Sequence, residues 1–158
     1  MAGAPRVRPY RDADAAALAV LAVEMAEDID DPRPSLTPAL LAASALGPDA
    51  WCRILVAELD ARLVGFAATC RRFEVHLGQR SLWLADLHVA RAARRGGVAT
   101  ALMAAVGRAA REQGCERVAW DLWTRNERAA AFYARIGAAV DGELRVVFAR
   151  AEQLERLG

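Results

Sequence analysis

Polar and apolar positions alternate along the chain in two rhythms, one of strands and one of helices. Arg6-Val-Arg-Pro9 reads as a short opening strand ended by proline. Behind Asp12, a side chain suited to capping, Leu18, Leu21, Ala22 and Met25 recur at helical spacing and predict a helix over about residues 13–26. Glu27-Asp-Ile-Asp-Asp-Pro-Arg-Pro34 is acidic and broken by prolines, the pattern of a loop. Thr37 followed by Pro38 opens a second helix, which Gly47-Pro48 stops. Trp51–Leu59 and Leu63–Cys70 are strand runs joined by Asp60-Ala61 as a two-residue hairpin connection. The polar stretch 71–78 extends the second run toward a turn at Gly78, and Ser81–Val89 is a further strand, apolar enough for burial on both faces.

The second half is more helical. Val98, Ala101, Leu102, Ala105, Val106 and Ala109 line one wide face of a long helix that closes near Gly114. Val118, Trp120 and Leu122 alternate along another strand. Ala129, Phe132, Tyr133 and Ile136 share a face of a short helix opened by Asn126 and closed by Gly137. Weaker strands near Ala138–Val140 and Leu144–Phe148 and a helical tail over Ala151–Leu157 complete the chain. With no repeat and no linker, residues 1–158 are expected to form a single domain of mixed α/β class.

Composition narrows the function. A net charge of +1 argues against a nucleic-acid partner, which usually selects a basic surplus. No apolar run has the length of a membrane span and no signal-peptide core is present, so a cytoplasmic protein with no membrane partner is expected. Every basic residue is Arg, which excludes a Walker-type phosphate loop and Schiff-base catalysis. Cys52, Cys70 and Cys115 are isolated and read as apolar filler, and neither His76 nor His88 has a partner at metal-ligand spacing, so no metal is expected.

The chemistry concentrates in Asp86–Thr100, a strand end, an arginine- and glycine-rich turn and a helix start. Within Arg94-x-x-Gly97-x-Ala99, Gly96 and Gly97 let a ligand approach the main chain, Val98 anchors the helix and Ala99 is small for the same reason as the glycines. Bare amides and a helix dipole favour a pyrophosphate, and Arg91, Arg94 and Arg95 would add charge-assisted bonds. The bland alternative is a solvated turn.

This pattern resembles the pyrophosphate loop R-x-x-G-x-G/A of the GNAT family of N-acetyltransferases. Asn126-Glu-Arg-Ala-Ala-Ala-Phe-Tyr133-Ala-Arg-Ile-Gly137-Ala is similar to the same family's second signature, and the resemblance runs from Val7 to the C-terminus. Leu84-Ala-Asp86-Leu-His-Val89, Gly114–Trp120 and Val64-Gly-Phe-Ala67 look like its diamine and polyamine branch, although Ala85 stands where that branch usually carries Glu.

The resemblance implies a central, mostly antiparallel sheet of about seven strands flanked by helices, and acetyl-coenzyme A as donor. Main-chain groups of Leu87, His88 and Val89 would pair with the pantetheine arm, and Arg94 and the amides of Arg95, Gly96, Gly97, Val98, Ala99 and Thr100 would hold the pyrophosphate. Asn126 would contact the cofactor, cap its helix, or do both. Tyr133 matches the general acid that protonates the departing thiolate; the alternative is a core tyrosine. Transfer would be direct, in a ternary complex, without an acyl-enzyme. The expected acceptor is a primary amine of a small cationic molecule: a diamine, a polyamine or a basic amino-acid analogue. A protein N-terminus, an aminoglycoside or a non-catalytic acyl-coenzyme A sensor are the rivals. Asp86 is the leading ligand for the cation, with Glu27 and Asp28 of the acidic loop and Glu143 of a late turn beside the cleft. His88 is a tempting base whose strand position also suits a packed histidine. Relatives often pair through late strands, so a homodimer is expected.

Overall fold

The computed structural model describes residues 3–156 apart from Arg33 and Phe148. It divides into two compact units, residues 1–123 and 124–158. The first holds a five-stranded sheet in sequence order: β1 (Arg6–Pro9), β2 (Arg53–Leu59), β3 (Arg62–Glu74), β4 (Gln79–Val89) and β5 (Arg117–Ala119). Pairing is antiparallel through β4, and β4 then pairs β5 in parallel. Helices α1 (Ala15–Ile29) and α2 (Pro38–Ala45) lie on one face and α3 (Val98–Glu112) on the other. The second unit holds α4 (Glu127–Arg135) and α5 (Ala151–Glu155). No helix among the described residues is long and apolar enough to cross a membrane.

Strand alternation divides the core. Val56, Phe66 and Ala68 face α1 and pack with Tyr10, Leu18, Leu21, Leu41 and Ile54. Ala57 and Ala67 face the other way, onto Leu84 and the α3 residues Val98, Leu102 and Val106. The β2–β3 turn puts Asp60 and Ala61 at φ 48° and 61°, the left-handed pair that a tight two-residue hairpin demands. Thr37 caps α2 as its sequence predicts, accepting from the Leu40 amide at 3.1 Å. Arg8 of β1 ties three elements together: its guanidinium donates to Asp14 at 2.6 and 2.8 Å and to Glu58 of β2 at 2.9 Å. The Arg8 hydrogen bonds hold the Asp14 carboxyl below its ordinary range.

One irregularity decides which face of the sheet the polar side chains of β4 take. On β4, Thr69 opposes Leu84 and Ala68 opposes Asp86, so Ala85 is an extra residue in a β-bulge. Leu82 and Leu84 point toward α3; beyond the bulge Leu87 and Val89 do so, and Asp86 and His88 turn to the α1 face. An unbroken strand would have sent Leu84, Asp86 and His88 into one core.

Gly65 is a second packing constraint. A Cβ there would lie 2.7 Å from the His88 carbonyl oxygen and 3.3 Å from Val98 Cγ1 and Leu102 Cδ1. Gly65→Ala is therefore expected to cost about 1–3 kcal/mol, as overpacking between two strands and a helix does. Urea unfolding measures it; an unchanged midpoint would contradict this packing.

Several expectations are corrected. Five strands, not about seven, occur among the described residues. Residues 138–147 form no strand, and Phe148 lies outside the described residues. Val140, Leu144, Val146 and Val147 are exposed, Val147 to 90%. Their apolar pattern is strand-like, but no strand among the described residues of the second unit pairs with them, and isolated strands do not persist. The run Val118–Leu122 is cut to Arg117–Ala119, with Trp120 packed against the α3-side core instead. The acidic segment is not all loop: α1 continues through Ile29 and ends at Asp30, φ 59°. Asp tolerates that left-handed stop better than most residues.

Candidate donor and acceptor sites

The donor side grows from an unpaired strand edge. β4 and β5 pair only over Ser81–Trp83 against Arg117–Ala119, while β4 runs on to Val89. The Ala90 amide donates to Val64 O at 2.8 Å. By antiparallel alternation His88 turns its main chain into the β3 ladder, and Leu87 and Val89 present theirs to the open edge. Leu87 and the Val89 amide, expected to pair with pantetheine, thus face that edge, while the Val89 carbonyl accepts from Arg94 and the His88 main chain faces β3.

After a single 3-10 turn at Arg91–Ala93, the chain passes through Arg95 at φ 66° and Gly97 at φ 77° before entering α3 at Val98. Left-handed residues on either side of Gly96 gather successive amides into a concave cluster. The first α3 bond is Ala101 N to Gly97 O at 3.0 Å, no side chain caps the helix, and the amides of residues 95–100 donate to no acceptor among the described residues. Val98, 1% exposed, pins the helix start to the core. Gly96, Gly97 and Thr100 are exposed and Ala99 half-buried, leaving the amides open to a ligand. Orphan donors at the positive end of a helix dipole can hold a pyrophosphate.

The loop arginines are not free for that task. Arg94 Nε donates to Val89 O at 3.0 Å and its Nη2 to Asp28. Arg91 Nε donates to Asp28 Oδ1 at 2.9 Å, and its Nη2 lies 3.3 Å from Glu27. The Arg91 amide donates to Glu24 Oε1 at 2.6 Å. Glu27 and Asp28, expected beside the acceptor from a loop, instead occupy the last turn of α1 and are spoken for by these arginines. Burial pushes the Asp28 carboxyl up, but bonds from Arg91 and Arg94 outweigh it and hold the group below its ordinary range. Glu24 escaped the sequence reading; its spacing four residues before Asp28, on one helix face, was the available signal.

His88 lies under α1, 5% exposed, its ring centroid 6.1 Å from that of Phe66. Nε2 sits 3.3 Å from Glu24 Oε1 without hydrogen-bond alignment, and Nδ1 4.0 Å from Asp28. Burial lowers its pKa despite both carboxylates, so the ring is neutral at neutral pH. Ligating atoms of Glu24, Asp28 and His88 lie within 4.8 Å of one another, but arginine guanidinium and amide donors already occupy the same carboxylates.

Asp86 contrasts with all of these acids. It is half-buried on the α1 face and makes no ion pair among the described residues. Burial raises its pKa. The strand register sets Cys70 and Trp83 opposite each other next along that face, and Cys52 packs there as well. Burial pushes both thiols up, and the Asp86 charge adds to it. Protonated thiols are poor nucleophiles. The Arg72 guanidinium lies 5.4 Å from the Trp83 ring centroid.

In the second unit Asn126 caps α4, accepting from the Ala129 amide at 3.1 Å. Tyr133 is half-buried on α4, its ring centroid 5.4 Å from that of Phe132, and burial raises its pKa. Gly137, φ 83°, closes the helix as expected. Glu143 is exposed in a turn where its amide donates to Asp141 at 2.9 Å.

Residues 18–138 match the model of the acetyltransferase (GNAT) family. Over 153 residues the chain is 34% identical to an aminoglycoside N(6')-acetyltransferase type 1 of Stenotrophomonas maltophilia, covering 95% of both chains. Among solved structures, a ribosomal-protein-alanine N-acetyltransferase from Brucella melitensis biovar Abortus 2308 superposes with a TM-score of 0.76 at 23% identity, covering 92% of this chain and 99% of that one. An aminoglycoside acetyltransferase from an uncultured soil metagenomic sample gives 0.75 at 22% identity, covering 94% and 100%. None of these carries the diamine or polyamine assignment. The chain belongs to the GNAT family of acetyltransferases, enzymes that use acetyl-coenzyme A as cosubstrate.

Proposed function

We propose that this enzyme acetylates a primary amine of an aminoglycoside-type amino sugar, drawing the acetyl group from acetyl-coenzyme A. One observation carries the reading: Asp86 is a half-buried carboxylate that makes no ion pair among the described residues, on the strand that runs on to the open edge at Leu87 and Val89. Among the described residues Glu27 and Asp28 pair with arginines and Glu24 takes the Arg91 amide, which leaves Asp86 as a charge a protonated amine can meet. Trp83 beside it offers a flat apolar face of the kind on which a sugar ring packs. The 34% identical relative is named for an aminoglycoside substrate, which supports this acceptor over a diamine or polyamine.

In this reading the acceptor binds as an ammonium ion at Asp86. Burial brings that carboxylate nearer to the amine in proton affinity, which favours proton removal. The neutral amine attacks the thioester carbonyl, the edge amides of Leu87 and Val89 stabilise the oxyanion, the C–S bond breaks as Tyr133 supplies a proton to the leaving sulfur, and the second amine proton, lost as the amide forms, returns the phenol to its neutral state directly or through water. Asn126 serves as a cap in the structure and as a cofactor contact in this proposal.

Thiol release with acetyl-coenzyme A across three acceptor classes tests it. Turnover is expected with an aminoglycoside at a kcat/KM at least about tenfold above that for spermidine or a peptide N-terminus, a difference of about 1.4 kcal/mol. Preference for either of the latter would overturn the acceptor class. Coenzyme A binding without turnover on any amine would favour a sensor instead.

A further inference from the structure

We infer that Glu24 and Asp28 are positioning residues of the donor site, holding the pyrophosphate loop open through Arg91 and Arg94. The inference rests on reading residues 94–100 as that loop. The two carboxylates, one turn apart on α1, grip the loop at three points: Glu24 takes the Arg91 amide, and Asp28 takes the Arg91 and Arg94 guanidinium groups. Arg94 in turn fastens the end of β4 through Val89 O. Asp28 is half-buried, its side chain 14% exposed, and its bond with Arg94 is part-buried, so that arm of the grip is not a solvated surface pair of the kind that contributes little; the Arg91 arm lies at the surface.

What this grip holds is strained. Arg95 adopts φ 66°, a conformation costly for a residue with a side chain. Such a residue persists where its surroundings over-determine it. Here the α1 clamp ends at Arg94 on one side and buried Val98 begins on the other, leaving three residues between two fixed points. Those three residues carry the left-handed bends that gather the amides. The clamp therefore keeps the cradle formed before any ligand arrives, and a preformed site spends less of its binding energy on ordering. The arrangement also moves Asp28 from the acceptor to the donor: its charge acts on the loop, not on the amine.

Coenzyme A binding measured by calorimetry, with no acceptor present, tests this alongside steady-state kinetics. Asp28→Asn is expected to weaken coenzyme A binding about tenfold, to raise KM for acetyl-coenzyme A correspondingly, and to leave KM for the amine unchanged. Asp28→Glu is expected to restore most of the affinity, and Glu24→Gln to show a smaller loss of the same kind. If Asp28→Asn does not fold, Arg91→Gln, at a half-exposed arginine, carries the test with the same donor-specific loss. Unchanged affinity would overturn the inference. So would tighter binding, which would mean that Asp28 competes with phosphate for the arginines. A raised KM for the amine with coenzyme A affinity intact would return Asp28 to the acceptor site. Failure of the wild-type protein to bind coenzyme A would overturn the donor reading itself.

Discussion

Tyr133→Phe is expected to lower kcat by about 10²–10³-fold while changing coenzyme A affinity less than about twofold, as removal of a general acid does. Burial raises the Tyr133 pKa, so the phenol stays protonated through the neutral range and holds a proton to give. The coenzyme A sulfur gains negative charge as its bond to carbon breaks, and the phenol meets that charge by giving its proton or by a hydrogen bond. The substitution deletes one oxygen and keeps the ring, so the tilted contact with Phe132 should survive. A core tyrosine would behave differently: its loss would lower thermal stability and leave kcat near wild type. Rapid-quench and steady-state rates together with Tm separate the two, and equal activity would remove Tyr133 from the mechanism.

Asp86→Asn is the second large effect. KM for a cationic acceptor should rise about 10–100-fold, the loss of a charge-assisted contact in a half-buried place, while KM for acetyl-coenzyme A stays put. Stability should move the other way. Burial raises the Asp86 pKa above its unfolded value, so its contribution is most favourable in acid and is lost as pH rises through the folded value. The asparagine variant has no such penalty. It should melt at or above the wild-type temperature at pH 7.5, and the gap should shrink as pH falls toward about 4, the unfolded carboxylate range. Gain of stability with loss of acceptor binding is the signature of a residue kept for function. A variant less stable at neutral pH, with KM unchanged, would make Asp86 structural.

The turn that feeds α3 was the more legible in sequence. Arg94-x-x-Gly97-x-Ala99 dictates a local event, a turn feeding a helix N-terminus, and local events are encoded locally. The Gly97 bend, the Val98 anchor and the Asn126 cap all came from neighbouring residues. What escaped was non-local. Arg91 and Arg94 bond residues more than sixty positions away on α1, so no spacing rule could show that their charge is already committed. The bulge lay between these cases. Leu82, Leu84, Leu87 and Val89 break a period of two by one residue, a visible signal that reading the strand as buried on both faces concealed. The late strands failed for another reason: Leu144, Val146 and Val147 have strand character, but strand formation needs a partner that their own pattern does not supply.

Acceptor identity is tested most directly by thiol release from acetyl-coenzyme A with an aminoglycoside and with the same compound after all its amines have been acetylated chemically. Rapid release is expected with the free aminoglycoside, with one acetyl group on an amine nitrogen by mass spectrometry, and release at the background hydrolysis rate with the blocked compound. Equal rates with both, or none with either while spermidine is acetylated, would contradict the proposed acceptor.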